Sequence, residues 1–234
     1  MLGQFLEISI HADEVLPTLQ LFERMGFTQI RTNDSWTHAY GVVTDGRCFI
    51  GVHEYEFPSP SLTFVAPQLR DRVEPLEQAG AEFEFLKLAD TQFHELGFLA
   101  PDEQMVCLIE ARTFSPPDTN TIGESLLGYF LELRLPVEDE EHALESWLRY
   151  GLIERDTDEA LPESAAACCT GLNLGFSEAT RIKRPTLFFQ CENLAALQEA
   201  LEQRDVDFKT GSKGQLDIKL PGRIQLSVVA ERSD

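Results

Sequence analysis

The feature that most constrains this chain is that it repeats itself. Phe5-Leu6-Glu7-Ile8-Ser9-Ile10 resembles Phe130-Leu131-Glu132-Leu133-Arg134-Leu135 at a shift of 125 residues. The same shift carries Leu19 and Phe22 onto Leu144 and Trp147, and Met25-Gly26-Phe27 onto Tyr150-Gly151-Leu152. It also carries Leu62 and Phe64 onto Leu187 and Phe189, and Phe83 onto Phe208. Later positions need small gaps: Ile50-Gly51 aligns with Leu174-Gly175, and Val106-Cys107-Leu108 with Leu226-Ser227-Val228. One offset held this far is the mark of a tandem duplication, in which both copies fold to the same unit. The joint falls near Ser115-Pro116-Pro117-Asp118-Thr119-Asn120-Thr121, which lacks apolar periodicity and is rich in turn residues. The expected organisation is therefore a first domain over 1–114, a linker over 115–125 and a second domain over 126–234.

Within a copy, one order of elements appears twice. Phe5 to Ile10 alternates with period two, as a strand does. Val15, Leu19, Phe22 and Met25 then form a helical stripe, and Gly26 stands where a helix C-cap belongs. Short strands follow, ending in Cys48 to Tyr55. Leu62 to Val65 starts the order again. A second helix carries Leu69, Val73 and Leu76 and stops at Gly80. Strands near Glu82 to Leu86, Phe93 to Leu99 and Met105 to Ile109 close the copy. The expected fold class is α+β, with four βαβββ modules in the chain. Glu138-Asp139-Glu140-Glu141 opens the third helix, where acidic side chains complement the helix dipole.

Charge narrows the partners. The chain has 40 acidic and 19 basic residues, a net charge of −21. Binding nucleic acid requires clustered Lys and Arg, so no nucleic-acid partner is expected. An anionic membrane surface is disfavoured for the same reason, and no apolar run approaches the roughly 20 residues of a span. Met1-Leu2-Gly3-Gln4 lacks a basic region followed by an apolar segment, so no signal peptide is expected. The cysteines are Cys48, Cys107, Cys168, Cys169 and Cys191: an odd number, one adjacent pair and no CxxC spacing. That pattern fits reduced thiols in a cytoplasm. There is no GxGxxG, GxxxxGK[ST], HExxH or GxSxG, and His94-Glu95 is not followed by a second His.

An alternating apolar strand, a helix ending in Met25-Gly26-Phe27, and Pro101-Asp102-Glu103 leading into a final strand from Met105 to Glu110 together resemble the vicinal oxygen chelate superfamily. That superfamily includes glyoxalase I, extradiol dioxygenases and bleomycin-resistance proteins. The resemblance spans nearly the whole chain. It implies paired modules that curl into an open sheet, with helices outside and a ligand cleft inside.

Strand alternation then assigns side chains to that cleft. In the first copy these are Phe5, Glu7 and Ser9, with His11 at the end; Phe49, Gly51, His53 and Tyr55; Ser61, Thr63 and Val65; and Met105, Cys107 and Ile109. In the second they include Phe130, Glu132 and Arg134, then Asn173, Gly175, Ser177, Thr186, Phe188, Gln190, Gln225, Ser227 and Val229. Enzymes of the superfamily hold a divalent metal through His and Glu on inward strand positions. Aligned here, those positions are Phe5, Gly51, Ser61 and Cys107, and Phe130, Gly175, Thr186 and Ser227. None is His, Asp or Glu, and one thiolate does not make a site. A slip of one residue in the first strand substitutes Leu6 and Leu131, which changes nothing. No metal and no other cofactor is therefore expected, and no catalytic residue is assigned.

The candidate ligand-binding residues are Phe5, Glu7, Phe49, His53, Tyr55, Cys107, Glu132 and Arg134. Glu7 and His53 suit a metal pair or a general acid–base pair; the blander alternative is a hydrogen-bonded cleft carboxylate beside a rim histidine. Glu132 and Arg134 suit an anchor for a polar ligand group or a mutual ion pair. His38 and His142 are expected at the surface, and Trp36 and Tyr40 in the core or stacked on a ligand. The expected function is metal-free binding of a small molecule, as in the bleomycin-resistance branch. Alternatives are a divergent lyase, isomerase or dioxygenase with a relocated metal or none, and a scaffold with vestigial clefts. A fused tandem chain is expected to act as a monomer of two domains or as a homodimer.

Overall fold

A computed structural model describes residues 1–31, 38–112, 119 and 122–231. Trp36 and, apart from Thr119, the 115–121 joint lie outside the described residues.

The first half runs β1 (Gln4–His11), α1 (Val15–Arg24), β2 (Thr28–Ile30), β3 (Tyr40–Thr44), β4 (Phe49–His53), β5 (Ser61–Ala66), α2 (Val73–Gln78), β6 (Glu82–Lys87), β7 (Glu95–Ala100) and β8 (Gln104–Glu110). The second half repeats the order as β9 (Tyr129–Val137), α3 (Glu140–Arg149), β10 (Ile153–Glu154), β11 (Ala165–Cys169), β12 (Leu172–Glu178), β13 (Thr186–Cys191), α4 (Leu194–Gln203), β14 (Lys209–Thr210), β15 (Leu216–Lys219) and β16 (Gln225–Ala230). Each half is one eight-stranded mixed sheet, ordered β2-β3-β4-β1-β5-β8-β7-β6 and β10-β11-β12-β9-β13-β16-β15-β14. The fold is α+β, with four βαβββ modules joined in pairs through β1/β5 and β9/β13.

The helices pack by the stripe visible in the sequence. Val15, Thr18, Leu19 and Phe22 of α1 are buried, as are Ala143, Ser146 and Trp147 of α3. Asp139 caps α3 by accepting from His142 N–H, and Asn193 caps α4 by accepting from Ala196 N–H. One apolar core runs through both halves. Phe27 meets Phe189 edge-on at 6.0 Å between centroids, and Phe98 meets Tyr150 at 5.2 Å.

The halves meet reciprocally. A Cβ on Gly26 would lie 2.9 Å from the backbone nitrogen of Leu126, and one on Gly151 would lie 3.0 Å from that of Met1. Gly26 and Gly151 are equivalent in the repeat, and so are Leu126 and Met1. The two copies therefore pack about an approximate two-fold relation. Both glycines also hold positive φ, at 90° and 100°.

One departure from strict alternation resets the cleft. The β1/β5 register shifts between Phe5, opposite Phe64, and Glu7, opposite Thr63, so Leu6 is an extra residue. The β9/β13 register shifts in the same way around Leu131. A bulge of this kind reverses the face of every side chain before it. Phe5 therefore does not face the cleft. It packs edge-on against core Phe64 at 5.4 Å, and Phe130 packs on Phe189 at 5.3 Å.

Candidate functional site

In the first half the site is built around Glu7. Beyond the bulge, alternation places Glu7 and Ser9 on one face of β1, beside Gly51 and His53 of β4 and Thr63 of β5. Glu7 is 3% exposed. A buried carboxylate costs several kcal/mol unless its oxygens are satisfied. Here Ser9 Oγ donates to Oε1 at 2.9 Å, Tyr40 OH donates to Oε2 at 2.8 Å, and His53 Nε2 lies 3.2 Å from Oε1. Ser9 Oγ is also 2.8 Å from Thr63 Oγ1. Room for the carboxylate exists because residue 51 is glycine: a Cβ there would lie 2.1 Å from Oε1.

The cluster extends outward through rings. His53 Nδ1 lies 3.1 Å from His38 Nε2. The His53 ring is 4.4 Å from Tyr40 and 5.7 Å from Phe57, and His38 is 5.7 Å from Tyr55. Tyr55 stacks on Phe57 at 6.4 Å and is 62% exposed, just past the end of β4. Burial and the neighbouring His53 lower the His38 pKa, against the opposing pull of Glu54. A surface recess of about 680 Å³ is lined in part by Phe57 of this mouth and by His11.

The remaining first-half candidates stand apart. Phe49 opens β4, half-buried, opposite Thr44. Cys107 of β8 lies opposite Thr63 and Gly97. It accepts from Ser61 Oγ at 3.4 Å, and burial pushes its thiol up to about 11, so it is a neutral thiol at pH 7. Further along the sheet, Phe85 lies over Gly97, where a Cβ would be 2.3 Å from the ring.

The second half is filled by its own chain. Glu132 is fully buried; Arg134 Nε donates to its Oε1 at 2.7 Å and Arg155 Nη2 to its Oε2 at 2.8 Å. Arg134 Nη1 donates to the carbonyl of Pro162 at 3.0 Å, and Arg134 Cζ lies over the Phe188 ring at 5.3 Å. Leu161 packs with Leu131 and Phe188 in a small apolar cluster. The segment between β10 and β11 thus lies on the cleft face, and Glu132 and Arg134 form an ion pair with Arg155 as a third member. Gly175 plays the part of Gly51, with a would-be Cβ 2.1 Å from Glu132 Oε1.

The sequence pointed to Glu7, His53, Glu132 and Arg134. It missed His38, expected alone at the surface, and it missed Arg155. Both lie on segments whose fold over the sheet follows no period. Tyr40 was open between core and ligand contact; its hydroxyl holds Glu7.

No family model matches the sequence, and no curated protein does. Solved structures do match in fold. A catechol 2,3-dioxygenase superposes with a TM-score of 0.60 at 15% identity, covering 98% of this chain and 88% of that one. BphC, a halotolerant catechol dioxygenase, gives 0.58 at 13%, covering 99% and 87%. An extradiol ring-cleaving dioxygenase from B. fuscum gives 0.62 at 11%, covering 99% and 72%. The chain has the extradiol dioxygenase fold.

The resemblance read from the sequence implies a divalent metal, and the residues here do not fit one. The aligned positions offer Gly51, Ser61 and a neutral Cys107 in one half, and Gly175, Thr186 and Ser227 in the other; Phe5 and Phe130 turn into the core. Among the described residues, no group of three His, Cys, Asp or Glu is placed to hold an ion. Among them, too, no helix is long and apolar enough to cross a membrane.

Proposed function

We propose that this chain is a metal-free small-molecule-binding protein of the glyoxalase/bleomycin-resistance type, with its ligand in the cleft of the first half. The observation that carries the reading is the contrast between two equivalent carboxylates. Glu132 is neutralised by two guanidiniums that never lose their charge. Glu7 is held by two hydroxyls and an imidazole, beneath a mouth of aromatic rings. A carboxylate with neutral or titratable partners retains negative potential for a ligand; a carboxylate in an Arg–Glu–Arg triad does not. The ligand class this favours is cationic or aromatic. The chain acts as two fused domains, 1–114 and 126–234, in a reducing cytoplasm, without a nucleic-acid or membrane partner, as a monomer or a homodimer.

A second reading, a divergent lyase or isomerase of the superfamily, is favoured by the contact chain Glu7···His53···His38, which has the form of an acid–base system.

A thermal-shift screen of small amines and aromatic compounds, run with and without chelator, tests the proposal. Saturable stabilisation that survives chelation, is lost in Glu7→Gln and persists in Asp217→Asn, a second-half variant, is expected. Stabilisation that requires a divalent ion overturns it. A compound that is turned over moves the assignment to the second reading.

A further inference from the structure

The second cleft holds more positive charge than its own chain neutralises. Arg134 and Arg155 are guanidiniums, which keep their charge at any physiological pH, and Glu132 between them supplies at most one negative charge. Among the described residues, no other carboxylate lies within ion-pair distance of either arginine. Arg134 is 1% exposed. Two nitrogens are also short of partners: Arg134 Nη2 and Arg155 Nε are buried and make no hydrogen bond. Buried polar groups are nearly always satisfied, so these atoms call for a partner from outside the chain. The fork of Arg134 says which kind. Its Nε donates to Glu132 Oε1 at 2.7 Å, and Nη2 stands as near to that oxygen without a hydrogen bond. Nη1 and Nη2 form the end of the fork, and only Nη1 is filled there, by the single oxygen of the Pro162 carbonyl at 3.0 Å. A carboxylate brings two oxygens and fills such a fork bidentately.

The segment that covers Arg134 is built to come away. Residues 155–164, between β10 and β11, close largely on themselves. Thr157 Oγ1 donates to the Ser164 carbonyl at 2.6 Å and accepts from Ser164 N–H at 3.3 Å. Asp158 holds the next amides, its Oδ1 accepting from Ala160 N–H and its carbonyl from Leu161 N–H, both at 2.9 Å. These bonds travel with the loop. Its ties to the sheet are the Pro162 carbonyl on Arg134, Arg155 on Glu132, and Leu161, which is buried against Leu131 and Phe188 in a cluster separate from the main core. A segment held by so few tertiary contacts belongs to the low-stability end of a fold. Pro162 itself is exposed, so the residue seated on Arg134 is at the surface.

We propose that the second cleft binds a small carboxylic acid with an apolar body, and that Leu161 and Pro162 stand in its place in this structure. The Pro162 carbonyl occupies the position of the acid's oxygens, and the Leu161 side chain that of its body. Binding lifts the loop and exchanges one neutral oxygen on Arg134 for a charged pair, which also offsets the excess positive charge. The inference concerns the second half alone and is independent of the ligand reading for the first cleft.

The probe is 4-methylpentanoate, which joins a leucine-like branched end to a carboxylate, and 4-methylpentanamide is its neutral match. Calorimetry on the whole chain at neutral pH is expected to show saturable binding of the acid and at least about tenfold weaker binding of the amide. Leu161→Gly, which loosens the loop without touching either arginine, is expected to tighten binding of the acid at least about fivefold, because the competing occupant is weakened. Cleavage by a glutamyl endopeptidase after Glu159 and Glu163, both exposed in the loop, is expected to speed up at saturating probe. Glu132→Leu combined with Arg134→Met leaves no buried pair to break; checked for folding by circular dichroism, it is expected to lose binding. The proposal is overturned if the acid binds neither the wild-type chain nor Leu161→Gly, or if the amide binds as tightly as the acid. It is overturned equally if the double variant binds undiminished, or if the probe slows cleavage of the loop.

Discussion

Glu7 Oε1 and Gly51 are so close that the carboxylate oxygen lies 2.1 Å from where a Cβ on residue 51 would stand. The floor of the first cleft is therefore shaped by a missing side chain. Gly51→Ala forces the carboxylate away from Ser9, Tyr40 and His53. The expected result is a loss of about 1–3 kcal/mol, as for other overpacked interiors, with weakened ligand binding. Urea denaturation and the thermal-shift screen measure the two effects separately.

The equivalent change in the second half is expected to cost more. At Gly175 a Cβ would meet both Glu132 Oε1, at 2.1 Å, and Arg134 Nε, at 2.9 Å. Breaking a buried ion pair from one side leaves an uncompensated charge. Arg134→Met is accordingly expected to destabilise by about 3–5 kcal/mol. The paired replacement Glu132→Leu with Arg134→Met is expected to recover most of that loss, because no charge is then left buried. If the double variant is no more stable than Arg134→Met in equilibrium unfolding, the triad owes its effect to something other than charge.

Gly26 and Gly151 make a symmetric pair of tests. Each holds positive φ and abuts the other half's backbone. Alanine at either position is expected to cost more than about 1 kcal/mol, and the two losses are expected to be of similar size. A large difference between them in thermal unfolding would argue against the reciprocal packing.

Two partly buried thiols set an alkaline limit. Burial pushes Cys107 and Cys169 from an ordinary value of 9.0 up to about 11. Above pH 9 the unfolded chain releases these protons while the folded chain keeps them. Folded-state proton binding then exceeds that of the unfolded state, so stability falls as pH rises. The thiol contribution is fully present below pH 9 and is lost between pH 9 and about 11. Cys107→Ala is expected to flatten the stability profile over that window, as read from denaturant midpoints. Its alkylation by iodoacetamide at pH 7.5 is expected to be slow in the folded chain.

The amino-acid order alone determined the duplication, the four βαβββ modules and the two strand faces, because an offset of 125 and the periods of 2 and 3.6 are properties of the chain itself. It also placed Glu7 and His53 on one cleft face, and Glu132 and Arg134 on another. Tertiary structure decided the rest. The bulges at Leu6 and Leu131 come from how strands pair, and they sent Phe5 into the core. His38 joined His53, and Arg155 joined Glu132, through segments that fold back across a sheet, where contact depends on path rather than on spacing. Two equal carboxylates became unlike sites for the same reason: what surrounds a charge is settled only when distant parts of the chain meet.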